Sequence, residues 1–168
     1  MSVQKTALIT GIAGQDGSYL AELLLGRGYR IVGTSHARSG VHHVGGVDVE
    51  LRQLDLTDTA AVSGMVAAVA PDEIYNLAAR ASSAQLFDEP LLTAEINGLA
   101  TVRFLEAIRQ HAPQARFCQA ASSEIFAGAT ETPQDEATSV VPVNSYGAAK
   151  AYGLHMVRMY RNRYGVHE

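Results

Sequence analysis

Thr6-Ala-Leu-Ile-Thr-Gly-Ile-Ala-Gly-Gln-Asp-Gly17 decides the fold. Thr6 to Thr10 is a short continuous apolar run ending at glycine, the pattern of a strand buried on both faces. Tyr19, Leu20, Leu23, Leu24 and Leu25 then recur at helical spacing as far as Gly26 and Gly28, which stop a helix. Between strand and helix stand three glycines, each meeting a separate demand. Gly11 permits a tight turn, Gly14 lets the backbone approach a pyrophosphate, and Gly17 lets the helix pack closely. The helix N-terminal N–H groups would face the anion. Three glycines also make ordinary turns. Their position between an N-terminal strand and a helix points to nucleotide binding.

Working outward, Arg30 to Thr34 is a second strand, followed by a Gly/His/Ser-rich loop from Ser35 to Gly46. Val49 to Leu54 alternates as a third strand and ends at Asp55. Thr57 is placed to cap a helix running through Val69, with Pro71 just beyond its end. Glu73 to Asn76 is a fourth strand, Leu91 to His111 an amphipathic helix after Pro90, Arg116 to Ala121 a fifth strand, and Ser145 to Tyr164 a last helix. Strands alternating with such helices imply right-handed βαβ units. The expected fold is α/β, a Rossmann-type doubly wound parallel sheet with helices on both faces. Ser122 to Asn144 is a long irregular segment, and in a compact domain such a segment is usually functional.

The bulk composition sets outer limits. A chain of 168 residues with 47% hydrophobic content supports one domain with its own core. Its net charge of −4 argues against nucleic acid or an anionic membrane as partner. Cys118 is the single cysteine, which excludes an internal disulfide and suits a reducing compartment. Neither Met1 to Thr10 nor the apolar stretch 64–70 is long enough for a signal peptide or a membrane span. A soluble, cytoplasmic protein is expected. His36, His42 and His43 have no carboxylate or cysteine at ligand spacing, so no metal is expected.

Cofactor choice rests on the loop after the second strand. NAD favours a carboxylate there for the ribose 2′-hydroxyl. Thr34 to Ser39 contains none, and offers Ser35, Arg38 and Ser39 to a 2′-phosphate. NADP is therefore expected ahead of NAD, although an exposed loop arginine is often merely solvated.

Tyr146-Gly-Ala-Ala-Lys150 places a phenol and an ammonium on one helical face. A free tyrosine, with a pKa of about 10, is a poor base at neutral pH. A neighbouring cation stabilises the phenolate, and so does an oxidised nicotinamide ring. Bringing the phenol near neutrality asks for about 4 kcal/mol of such interaction. Ser122 follows the fifth strand, and Glu124 lies on the same side of an extended chain, where it would supply a second proton-transfer group. By spacing alone, the pair also fits an exposed tyrosine beside a lysine. Glu124 likewise fits a solvated loop, and Asp55 a turn.

From Lys5 to its last residue, the chain resembles the GDP-mannose 4,6-dehydratases, extended short-chain dehydrogenase/reductases. The most specific stretches are Ala7-Leu-Ile-Thr-Gly-Ile-Ala-Gly-Gln-Asp-Gly-Ser-Tyr-Leu20, Asp55-Leu-Thr-Asp58, Glu73-Ile-Tyr-Asn-Leu77, Gln119-Ala-Ala-Ser-Ser-Glu124 and Ser145-Tyr-Gly-Ala-Ala-Lys150. The resemblance implies Ser122, Glu124, Tyr146 and Lys150 as catalytic residues. Ser122 stands for the family's Thr, Glu124 is the acid/base, Tyr146 the base, and Lys150 orients ribose and tyrosine. It implies cofactor contacts from Gly11, Ile12, Ala13, Gly14, Gln15, Asp16 and Gly17. Further contacts would come from His36, Arg38 and Ser39, from Asp55 and Leu56, from Tyr146 and Lys150, and from Leu77 to Ala81, with Leu77, Ala78 and Ala79 foremost. The implied reaction oxidises C4 of the sugar, eliminates water across C5 and C6, and reduces C6.

Three departures stand out. His36-Ala37 replaces a pair of arginines, Leu92 replaces a tyrosine, and Ile125-Phe126-Ala127 stands where Leu-Tyr-Gly is usual. The first bears on cofactor choice, and the others suggest a related sugar such as a GDP-heptose. Members of the family run roughly twice as long. The chain is thus expected to be an N-terminal portion without the final strands and the sugar-nucleotide-binding domain, inactive alone and part of a homo-oligomer, a dimer or tetramer, at full length, with a degenerate relative as the other reading of its length. Two alternatives remain open: another sugar-nucleotide epimerase or reductase, and a non-catalytic NADP-binding sensor.

Overall fold

In the computed structural model, residues 4–37, 39–81 and 89–167 are described. Strand β1 (Thr6–Thr10) leads into helix α1 (Gln15–Gly26), followed by β2 (Arg30–Ser35), β3 (Gly40–Val44), β4 (Val47–Gln53), α2 (Thr59–Val69) and β5 (Glu73–Asn76). A long helix then runs as α3 (Pro90–Ala94), a π-turn (Glu95–Leu99) and α4 (Ala100–His111). After β6 (Arg116–Gln119) come a 3-10 turn (Ser123–Phe126) and α5 (Ser145–Tyr164). The strands form one sheet in the order β3-β4-β2-β1-β5-β6. Every neighbouring pair is parallel except β3 and β4.

Alternation along the strands splits the core in two. Ala7 and Ile9 of β1, Ile31 of β2 and Leu51 of β4 face α1, packing with Ala21 and Leu24. Leu8, Val32, Ile74 and Phe117 face the other way, against Val62 and Val66 of α2, Phe104 and Ile108 of α4, and Val157 of α5. Phe104 is fully buried and lies 6.1 Å, centroid to centroid, from Phe117. Truncating it to alanine would cost about 3–5 kcal/mol. Helices therefore cover both faces of the sheet, as the strand–helix alternation implies.

The structure departs from the sequence reading in four places. The loop expected from Ser35 to Gly46 contains β3, an antiparallel edge strand, so the sheet is mixed rather than wholly parallel. Asp58, not Thr57, caps α2, its carboxylate accepting from Ala61 N at 3.0 Å. Thr57 instead donates to Asp55. Strand β6 ends at Gln119, two residues before Ala121. The helix expected from Leu91 to His111 is interrupted by the π-turn. Beyond α5, Arg116 and His167 form a parallel bridge, and Phe117 N donates to His167 O at 2.8 Å.

Candidate active site

Strand β1 ends in the glycine turn, and the turn is tight. Gly11 has φ +69°, and a Cβ there would lie 2.9 Å from Ala78 N. A Cβ on Gly17 would lie 2.3 Å from Gly11 O, so Gly17 seats α1 on the turn itself. Helices α2 and α5 have side-chain caps from Asp58 and Asn144, whereas α1 begins at Gly14 with none. Its first-turn amides thus keep their donors for an anion.

A cavity of about 310 Å³ opens beside this turn. Gly11, Ala13 and Gly14 form one wall; Thr34, Ser35 and His36 come from the end of β2. Leu54, Asp55 and Leu56 follow β4, while Ala78, Ala79, Arg80 and Ile96 close the other side. Asp55 is the one carboxylate among the described lining residues. Its oxygen accepts from Thr57 N at 2.9 Å and Thr57 Oγ1 at 2.8 Å, and these bonds hold it below the usual carboxylate range.

The cavity gathers Gly11, Ala13, Gly14, His36, Asp55, Leu56, Ala78 and Ala79 from the residues expected to bind cofactor. Others stand apart. Ile12 is fully buried in the core, Gln15 and Asp16 are exposed at the start of α1, and Gly17 lies beneath the turn. Leu77 packs against the α1-side core. Ser39 Oγ accepts from Gln53 N at 2.8 Å. Arg38 falls outside the described residues. Sequence reasoning missed Thr34, Leu54 and Ile96. The first two had a signal in their place at the carboxyl ends of strands, where such folds bind ligands. Ile96 had none, because the π-turn sets its position.

A second group lies at the end of β6. Lys150 Nζ donates to Ala120 O at 2.8 Å and lies 5.8 Å from the centroid of the Tyr146 ring. Lys150 is 3% exposed and Tyr146 8%. Burial pushes the lysine down to about 8, a strong perturbation of the kind that gathers at functional sites. Ser122 Oγ accepts from Glu124 N at 3.2 Å and so caps the 3-10 turn. The half-buried Glu124 carboxylate accepts from Asn144 Nδ2 at 2.7 Å, and Asn144 Oδ1 accepts from Gly147 N at 2.7 Å. Ser122, Glu124, Tyr146 and Lys150 are thereby tied into one strip. Asn144 was absent from the sequence-based site. Cavities of about 450 Å³ and 660 Å³ flank the strip, the first beside Lys150, the second beside Ser122.

Strands β4-β2-β1-β5-β6 follow the order of dinucleotide-binding domains, with the glycine turn at the carboxyl end of the central strand. The molecule has a Rossmann-type fold. Residues 8–168 match the family model described as GDP-mannose 4,6 dehydratase, and the chain belongs to that family.

A GDP-mannose 4,6-dehydratase of Vibrio cholerae is 39% identical over 98% of this chain and 48% of its own length. GDP-mannose 4,6 dehydratase 2 of Arabidopsis thaliana is 38% identical over 97% of this chain and 48% of its own length. The chain spans about half the length of the curated relatives it matches. Among solved structures, UDP-glucose 4-epimerase of Brucella ovis in complex with NAD superposes with TM-score 0.84 at 26% identity, covering 96% of this chain and 49% of its own. The Thermus thermophilus UDP-glucose 4-epimerase complex with NAD gives 0.82 at 28% identity, covering 96% and 52%. Among the described residues, no cluster of three or more His, Cys, Asp or Glu could hold a metal, and no helix is long and apolar enough to cross a membrane.

Proposed function

We propose that this chain is the dinucleotide-binding part of a sugar-nucleotide 4,6-dehydratase that acts on GDP-mannose or a related GDP-sugar with bound NADP. The observation that carries the reading is the Asn144 amide, which joins Glu124 to the helix bearing Tyr146 and Lys150. A dehydratase needs a carboxylate held beside the Tyr/Lys pair, because elimination requires a proton-transfer group that simple oxidation does not.

The residues present fit a dinucleotide. A Cβ at Gly11 or Gly17 would collide with neighbouring backbone, and α1 offers uncapped amides to a pyrophosphate. Gly11, Ala13 and Gly14 would hold the phosphates, with Asp55 and Leu56 at the adenine. When bound, a dinucleotide would supply a hydride acceptor for C4 of the sugar and a hydride donor for C6. Tyr146 takes the proton of the 4-hydroxyl, and the Lys150 charge supports the phenolate. The Ser122 hydroxyl hydrogen-bonds the 4-oxygen. Glu124 removes the C5 proton, made acidic by the adjacent ketone, and gives it to the departing 6-hydroxyl as water; as C6 is reduced, the proton first taken from the 4-hydroxyl is returned to C5. Oxidation at C4 and reduction at C6 cancel, so the net change is loss of water.

The epimerase neighbours favour a second reading, in which Tyr146 and Lys150 act without Glu124. Glu124→Gln in the full-length enzyme separates the two. It keeps the side-chain shape and removes the proton transfer, an effect of about 10²–10⁴ in rate. Reduced dinucleotide is expected to form and persist in a single turnover, with C5 deuterium retained in labelled substrate. Tyr146→Phe is expected to block formation of reduced dinucleotide. Washout of the C5 label at the wild-type rate in Glu124→Gln would assign the glutamate a structural role and favour the epimerase.

A further inference from the structure

A line of polar side chains, buried at Thr10, Asn76 and Thr101 and half-buried at Gln119, crosses the carboxyl ends of three strands. Ala78 N donates to Thr10 Oγ1 at 3.0 Å, and Thr10 Oγ1 donates to Asn76 Oδ1 at 2.7 Å. Asn76 Nδ2 donates to Gln119 Oε1 at 2.7 Å, and Thr101 Oγ1 donates to the same oxygen at 2.9 Å. Gln119 Nε2 donates to Ala120 O at 3.0 Å. That carbonyl is also the acceptor of Lys150 Nζ. Thr10, Asn76 and Thr101 are each no more than 1% exposed. Apolar side chains of similar shape would avoid the desolvation these groups undergo. Both ends of the line fall on the site, one at Ala78, which lines the cavity beside the glycine turn, and the other at the anchor of the lysine.

We propose that Gln119 is a positioning residue for Lys150. Its amide fixes the Ala120 carbonyl that receives the ammonium, and through Asn76 and Thr10 it keeps that carbonyl in register with the segment after β5 at Ala78. From Ala78 N to the Ala120 carbonyl the bonds run in one direction, and Lys150 Nζ meets them at that carbonyl from the other side. The other face of Lys150 offers little substitute. Tyr146 on the same helix, Cys118 on β6, and Arg158 and Arg161 farther along α5 are the titratable or charged groups around it, and no carboxylate lines the adjoining cavity among the described residues. Loosening the Ala120 carbonyl therefore removes support from the charged lysine. The inference rests on the reading of Lys150 as the partner of Tyr146. Its test observes the lysine directly, so it can fail while the dehydratase reading stands.

Lys5 and Lys150 are the only lysines in the chain, which makes ¹³C-lysine NMR selective. In the native chain the Lys150 Cε resonance should titrate with a midpoint near 8. In Gln119→Met, with amide spectra showing a folded chain, that midpoint should fall by about one pH unit, as expected for one weakened charge-assisted hydrogen bond. An unchanged or higher midpoint would overturn the proposal, since Gln119 would then be a bystander or a competitor for the carbonyl. If Gln119→Met does not fold, Thr101→Val and Thr101→Ser decide it. Valine removes one donor to Gln119 at nearly constant shape and should lower the midpoint, while serine should restore it. Equal midpoints in the two would overturn the proposal.

Discussion

The amide nitrogen of Asn144 lies 2.7 Å from a carboxylate oxygen of Glu124, while the amide oxygen of the same residue caps α5. One side chain thus both starts a helix and holds the proposed acid/base. Asn144→Asp keeps the cap, because Asp serves that position as well as Asn. It also turns a donor into a carboxylate facing Glu124, which raises the proton affinity of the pair. The pH profile of C5 proton exchange is expected to move upward in Asn144→Asp. Asn144→Ala should instead lower the unfolding free energy by about 1 kcal/mol. Identical exchange profiles in Asn144→Asp and wild type would mean that Glu124 is held by other groups.

Lys150 is expected to weaken the fold that houses it. Its proton affinity is lower in the folded chain, about 8 against the usual 10.5, so between these values the unfolded chain binds more protons. Stability from this group therefore rises as pH increases through that window, and its cost is fully present below it. At neutral pH the cost is about 3 kcal/mol as an order of magnitude. Lys150→Met should unfold at higher urea at pH 7 and lose the rise between pH 8 and 10, while losing turnover. A variant less stable than wild type at pH 7 would contradict this.

How much of this was legible follows from how local each signal is. The turn from Thr6 to Gly17 was readable because its strand, glycines and helix lie within one short stretch, and Gly11 and Gly17 fill the demands of turn and close approach. Tyr146 and Lys150 were readable because helical spacing alone puts them on one face. Strand β3 was read as loop, although Val44 and Val47 pair across a two-residue turn at Gly45 and Gly46, both with positive φ. A Gly-Gly step flanked by valines is a hairpin signal, masked here by the polar His42 and His43. The second role of Asn144 was not legible. A cap residue is visible from its position, but its bond to Glu124 exists only once the segment after β6 has folded back over α5.

Arg103 joins the two sides of the cavity beside the glycine turn. Its guanidinium donates to Leu56 O and Glu95 O, both at 3.1 Å, and to Thr59 Oγ1 at 3.1 Å, and it is paired with the Glu95 carboxylate. A lysine is a single point charge and cannot reproduce the fork. Arg103→Lys should cost about 1–3 kcal/mol in urea unfolding and weaken dinucleotide binding by releasing Leu56. Unchanged affinity would show that the segment after β4 is held without it.

NADP should bind more tightly than NAD. Thr34, Ser35 and His36 bring no carboxylate to the cavity, and Asp55 already accepts two hydrogen bonds from Thr57. Fluorescence titration with both dinucleotides measures the preference, and Arg38→Ala is expected to weaken NADP selectively. Tighter binding of NAD would defeat the assignment.

The π-turn at Glu95–Leu99 carries one residue more than the α-helical turn it replaces. Its Asn97 side chain accepts from Arg80 N at 2.9 Å and donates to Arg80 O at 3.2 Å, gripping the loop that lines the cavity. Deleting Gly98 would let Pro90 to His111 run as unbroken α-helix, with Phe104 and Ile108 still turned toward the sheet. The same deletion would carry Asn97 away from Arg80. The less regular helix is thus the form that lets Asn97 reach the loop at Arg80. A shortened chain that melts higher yet binds dinucleotide more weakly would display both consequences in a single molecule.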